Sequence, residues 1–171
     1  LLEAKSPCMY VGPEAWTSGG GKDCVELAEL LGIPSMRTSN DCWVDCFPTS
    51  HPLFINAEYT PNLRFPRGVD VLLVLGHFMP RPGSAKAIHV TTERSEISKG
   101  SAAELPIAAD PRLTVRDLIA AIKSMATTQR LAALAKPRVE EVRTFNASME
   151  ESLRAVAQAA WNNSPISWPR L

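Results

Sequence analysis

A layered α/β domain built on a mainly parallel sheet is what this sequence predicts, and three observations carry the prediction. Val71-Leu72-Leu73-Val74-Leu75 is an unbroken apolar run bracketed by Gly68 and Gly76, the pattern of a strand buried on both faces in the middle of a parallel sheet. A weaker run of the same kind follows in Ala85-Lys86-Ala87-Ile88-His89-Val90. Residues 7–38 read strand, helix, strand with a short helix-to-strand connection, as expected of a crossover between parallel strands.

Taken in order, Pro7-Cys8-Met9-Tyr10-Val11-Gly12 is a first strand, ended by Gly12-Pro13 and followed by a loop that continues to Gly19-Gly20-Gly21. From Asp23, the residues Val25, Leu27, Ala28, Leu30 and Leu31 recur at helical spacing, with Gly32 where a left-handed cap falls. Residues 33–38 then form a second strand. Between 39 and 68 the period is lost. Cys42-Trp43-Val44-Asp45-Cys46-Phe47-Pro48 reads as loop or short helix, His51-Pro52-Leu53-Phe54 can begin a helical turn, and Pro61, Pro66 and Gly68 limit any helix. The central pair of strands follows. Residues 92–99 suit a short helical segment, and 105–109 a last strand that tolerates Pro106 at an edge.

Asp110-Pro111 marks a turn, and Thr114 is expected to cap a helix containing Val115, Leu118, Ile119 and Ile122, with Asp117 three residues beyond the cap. After Lys123 the chain is Ala-rich and charged. It is expected to be helical through Gln129 to Ala135, to break at Pro137, and to resume over residues 139–160 until Asn163-Ser164-Pro165 stops it. The sum is a three-layer, Rossmann-like domain of five or six mainly parallel strands with helices on both faces, followed by a C-terminal helical linker.

The composition narrows the partners. Eighteen basic residues balance eighteen acidic ones, so no excess charge draws the chain to nucleic acid or an anionic membrane. No apolar run approaches the roughly 20 residues needed to span a bilayer. The start, Leu1-Leu2-Glu3-Ala4-Lys5, has neither an initiator Met nor a secretory pattern, and the chain is read as a piece of a longer intracellular protein. Cys42 and Cys46 are spaced C-x3-C, but with Cys8, Cys24 and His51 elsewhere the set lacks zinc-ligand spacing and reads as buried thiols. The sequons at Asn146 and Asn162 count for nothing without a secretion signal.

The order of these segments resembles the central domain of thiamine-diphosphate-dependent enzymes of the acetolactate synthase and benzoylformate decarboxylase group. The resemblance covers residues 4–125. It is carried by the 7–12 strand, Val25-Glu26-Leu27-Ala28-Glu29-Leu30-Leu31-Gly32-Ile33-Pro34, Phe47-Pro48-Thr49-Ser50-His51-Pro52-Leu53, the 69–76 strand, Ala87-Ile88-His89-Val90, Ile97-Ser98-Lys99 and Ile107-Ala108-Ala109-Asp110. It implies two further domains in the parent, one binding the thiamine pyrimidine and supplying a catalytic Glu, the other holding the diphosphate through magnesium. The family's Gly-Asp-Gly…Asn-Asn motif is represented here only by Asn162-Asn163, which reads as a helix end. Residues 1–125 are thus expected to be the central domain, and 126–171 a helical linker with the beginning of a diphosphate-binding domain.

Open parallel sheets hold ligands at the carboxyl ends of their strands, which makes Gly12, Gly76 and His77 the crevice candidates. The resemblance adds FAD or another adenine nucleotide as a ligand for that crevice. Family members commonly read His-Ile-Asp-Ile-Asp-Pro where this chain has His89-Val90-Thr91-Thr92-Glu93-Arg94, so a carboxylate placed to accept ribose hydroxyls is lost or moved. Gly19-Gly20-Gly21 is not G-x-G-x-x-G and does not form the first strand's turn. No catalytic residue is identified, and Ser39, Ser84 and Ser98 lack the context of a nucleophile. Trp16, Trp43, Trp161 and Trp168 are expected to meet neighbouring domains or subunits.

The reading is a non-catalytic scaffold domain of a decarboxylase or carboligase acting on 2-oxo acids, inactive alone, binding no cofactor itself, and part of a homo-oligomeric parent. The alternative is a free-standing FAD- or ADP-binding module. A sirtuin-like NAD-dependent hydrolase would need a Gly-rich turn that is missing.

Overall fold

The computed structural model describes residues 1–37, 46–58, 68–76, 79–97, 99, 101–159 and 161–162. Six strands form one sheet: β1 (Pro7–Val11), β2 (Ser35–Arg37), β3 (Phe54–Glu58), β4 (Val71–Leu75), β5 (Lys86–Thr91) and β6 (Leu105–Ala108), in the order β3-β2-β1-β4-β5-β6. Every pairing is parallel. β1 is buried throughout and β4 nearly so, because both lie at the sheet centre and meet apolar neighbours on each face. β6 is an edge strand, which is why Pro106 is accommodated within it.

The helices among the described residues are α1 (Pro13–Thr17), α2 (Gly21–Leu31), α3 (Pro111–Met125) and α4 (Thr128–Ala159), with a 3-10 turn at Arg94–Glu96. α2 crosses from β1 to β2 and buries Cys24, Leu27, Ala28 and Leu31. It contacts both α3 and α4, so these three helices form one layer. Gly32 ends α2 in the left-handed conformation, φ 64°. A Cβ there would lie 2.6 Å from the Ala135 carbonyl oxygen of α4, so glycine is needed for both conformation and space. The connections 38–45, 59–67 and 77–78 lie outside the described residues, and so do Cys42, Trp43, His77 and Trp168.

Four local expectations are corrected. The stretch after Gly12 holds the five-residue helix α1, begun by Pro13 at its first position. Part of the segment read as loop or helical turn is β3, whose Phe54 and Ile55 are buried against β2. The cap of α3 is Asp110, which accepts the Leu113 N–H at 2.9 Å, with Pro111 as first helical residue. Thr114 instead donates its hydroxyl to the Asp110 carbonyl.

Finally, Pro137 does not break α4, which runs through it for 32 residues. Leu131, Ala135 and Val142 form one buried stripe on both sides of the proline, and this packing outweighs the one backbone hydrogen bond that proline removes. Arg138 secures the turn beyond it, donating to the Leu31 carbonyl at 2.8 Å and to that of Ala4.

Candidate functional site

The strand order reverses between β1 and β4, and the carboxyl ends of those two strands and of β5 border the crevice where a doubly wound sheet holds ligands. Gly12 and Gly76 meet there. The Gly12 amide donates to the Leu75 carbonyl at 2.8 Å, and the Gly76 amide to that of Val90 at 2.7 Å. Gly76 has φ 62°, and a Cβ on it would stand 2.5 Å from Glu14 Cβ and 2.7 Å from the Ala15 nitrogen. The first turn of α1 therefore rests directly on the end of β4. His77, the third candidate, lies outside the described residues.

In a nucleotide-binding sheet the turn after the first strand offers backbone N–H groups to a phosphate. Here Gly12 directs its amide to Leu75, Pro13 has none, and Glu14 donates its own to the Gly76 carbonyl at 3.1 Å. The turn's hydrogen-bonding capacity is thus used to join strand ends within the chain.

The carboxylate that the sequence seemed to have lost is present, but it comes from another element. Glu14 reaches across the crevice to the end of β5, where Oε1 accepts the Thr91 hydroxyl at 2.7 Å. Oε2 accepts the Thr92 amide at 2.8 Å and the Thr92 hydroxyl at 2.9 Å. Thr91 is fully buried, and its oxygen also accepts the Glu93 N–H at 3.1 Å, so its single hydrogen is directed to Glu14. The Glu93 carboxylate turns the other way, accepting the Ser95 hydroxyl at 2.8 Å and amide at 3.1 Å. The Ser95 hydroxyl and amide hold the Glu93 carboxyl below its ordinary value. Sequence reasoning missed Glu14 because a five-residue helix shows no periodicity and its threonine partner is 77 residues away.

A groove of about 780 Å³ lies away from this crevice, between the loop leading into β3 and the second half of α4. His51, Phe54, Asn146, Met149 and Leu153 are among its lining residues, and Asn146 donates to the carbonyls of Pro52 and Phe54 at 3.2 and 3.0 Å. Met149, Leu153, Val156 and Trp161 are exposed along this end of the molecule. Cys8 and Cys24 are buried thiols, and burial, then Asp23 and Cys46, push Cys24 up to about 12. No three His, Cys, Asp or Glu residues are grouped to hold a metal among the described residues. No helix among them is long and apolar enough to cross a membrane.

A sheet of this order with its first turn folded over the switch point is a variant of a known domain type, and comparison with family sequences decides which. The family model described as thiamine pyrophosphate enzyme, central domain, matches residues 1–118. The chain belongs to this family. Curated relatives of the central domain found here include a probable acetolactate synthase large subunit of Methanocaldococcus jannaschii, 29% identical over 138 residues, which are 71% of this chain and 22% of that protein. Another is the acetolactate synthase isozyme 3 large subunit of Escherichia coli, 26% identical over 145 residues, 77% of this chain and 25% of that protein. The chain thus spans about a quarter of the length of these relatives.

Among solved structures, the thiamine diphosphate-dependent 4-hydroxybenzoylformate decarboxylase of Rhodococcus jostii RHA1 matches with a TM-score of 0.57 and 27% identity, over 68% of this chain and 24% of that one. The benzoylformate decarboxylase of Polynucleobacter necessarius shares the fold with a TM-score of 0.59 at 20% identity, over 70% of this chain and 24% of that one.

Proposed function

We propose that this thiamine pyrophosphate enzyme central domain is a non-catalytic scaffold, joining and spacing the pyrimidine- and diphosphate-binding domains of an enzyme that acts on 2-oxo acids. The observation that carries the reading is the match of residues 1–118 to the central domain alone, within relatives roughly four times longer. In this reading residues 1–125 hold the domain's sheet and first helices, and 126–171 lead toward the next domain, with the first half of α4 packed on the same core. The exposed Met149, Leu153, Val156 and Trp161 support a contact with a neighbouring domain. Buried, unpaired Cys8 and Cys24 thiols agree with an intracellular parent enzyme, and homo-oligomerisation of that parent belongs to the same proposal.

Thiamine diphosphate supplies the carbanion chemistry of such enzymes, and the described residues do not fit it. Its diphosphate is held through a metal, and no metal-ligand group is assembled among them. A nucleotide is not favoured in this reading, since the Gly12 and Glu14 amides that would meet a phosphate donate within the chain and both oxygens of the Glu14 carboxylate, which could accept ribose hydroxyls, already accept from Thr91 and Thr92. The chain's contribution is therefore rigid placement.

The test is to supply the purified chain with pyruvate or benzoylformate, thiamine diphosphate and magnesium, and to follow decarboxylation. No turnover, and no thermal stabilisation by the cofactor and metal, is the expected outcome. Saturable stabilisation accompanied by turnover would overturn the scaffold reading.

A further inference from the structure

Three donors converge on one small volume at the end of β5: the Thr91 hydroxyl, the Thr92 hydroxyl and the Thr92 amide. All come from two consecutive residues, and Thr91 is fixed by burial and by the Glu93 N–H it accepts. The set addresses both oxygens of a planar carboxylate at 2.7 to 2.9 Å, the distances of charge-assisted hydrogen bonds. No lysine or arginine pairs with Glu14 among the described residues. Among the described residues the carboxylate is thus held by neutral donors, as a bound anionic ligand is held in a pre-organised site.

We propose that the end of β5 is an oxyanion seat that the chain fills with its own Glu14, an internal occupant that closes the switch-point crevice to anionic ligands. The inference rests on the scaffold reading above and names the residue that enforces it. Two effects act together. The negative charge of Glu14 opposes a phosphate or carboxylate approaching the same donors. The α1 turn that carries Glu14 is packed so closely on Gly76 that no volume remains between them. Thr91 stands where the family pattern has its first acidic residue, and this departure is the complement of the arrangement, because an aspartate at 91 would face Glu14 with like charge in place of a donor.

Chemical rescue tests the seat. Glu14→Ala leaves three donors without their acceptor and should lower the melting temperature, and millimolar sodium formate should restore at least half of the loss in a saturable manner. Sodium chloride at equal ionic strength should not. The wild type should be indifferent to formate, since its seat is filled, and the double variant Glu14→Ala/Thr91→Val should lose the rescue.

If Glu14→Ala does not fold in ordinary buffer, refolding with and without formate reads the same property: recovery of the circular dichroism spectrum only with formate supports the seat. A Glu14→Ala protein that neither formate, acetate nor inorganic phosphate restores would overturn it and leave the scaffold reading standing. Saturable stabilisation of the wild type by ADP in the same assay would instead overturn the scaffold reading, and the internal occupant with it.

Discussion

Asp70 is the residue that ties the amino-terminal stretch to the central strand. Its carboxylate accepts the amides of Lys5 at 2.6 Å and Ser6 at 3.0 Å. Partial burial works to raise its pKa, but these two amides, with those of Asp70 and Val71, outweigh it and hold the carboxyl below its ordinary value. A depressed folded value stabilises the fold above the unfolded value of about 4, and that contribution is lost as pH falls through the folded one. Asp70→Asn should cost about 1 kcal/mol at neutral pH, a figure discounted for solvent access. Between pH 5 and pH 3 its melting temperature should fall less steeply than the wild type's, and parallel curves for the two proteins would argue against the role. Asp70 was visible in the sequence only as the residue before an apolar run. Its partners are 65 and 64 residues away, and no local pattern encodes a contact of that range.

Among the elements, those with a strong period or a bracketing glycine were legible: β1, α2, β4 and β5 all stand where the sequence places them. The elements that differed lacked a period or had two signals in competition. Thr114 and Asp117 imitate a capping box, yet Asp110 followed by Pro111 wins because the proline's fixed φ and missing N–H suit the first helical position. α4 passes through Pro137 because its buried stripe continues on both sides and Arg138 holds the α2 end. The junction of α2 and α4 is tight enough to test. Gly32→Ala combines a left-handed backbone with a 2.6 Å approach to the Ala135 carbonyl oxygen and should destabilise the protein by about 2 kcal/mol or more. Arg138→Ala, which frees the Leu31 and Ala4 carbonyls, should cost about 1 to 2 kcal/mol. Urea denaturation measures both, and a Gly32→Ala protein with an unchanged midpoint would show that α4 does not press on α2.

Across the whole molecule, the first half of α4 serves the domain as well as whatever follows it. Leu131 and Val142 are buried, and Val139 and Phe145 pack against the same core. A chain ended at residue 125 should therefore lose about 3 kcal/mol or more of apolar burial and bind a hydrophobic dye. Retention of the full-length melting temperature would mean that the helix is dispensable to the core. The sheet and its crevice were readable from the apolar runs because a parallel sheet imprints its burial on the sequence. The filling of the crevice by Glu14 was not, because it depends on where α1 sets one side chain against the distant β5.

In the proposed scaffold role this crevice joins the strand ends and takes no nucleotide. Calorimetric titration of the wild-type chain with FAD and with ADP tests it most directly. A scaffold with a filled crevice gives no saturable heat with either ligand, and a one-to-one isotherm at micromolar concentration would overturn the scaffold role.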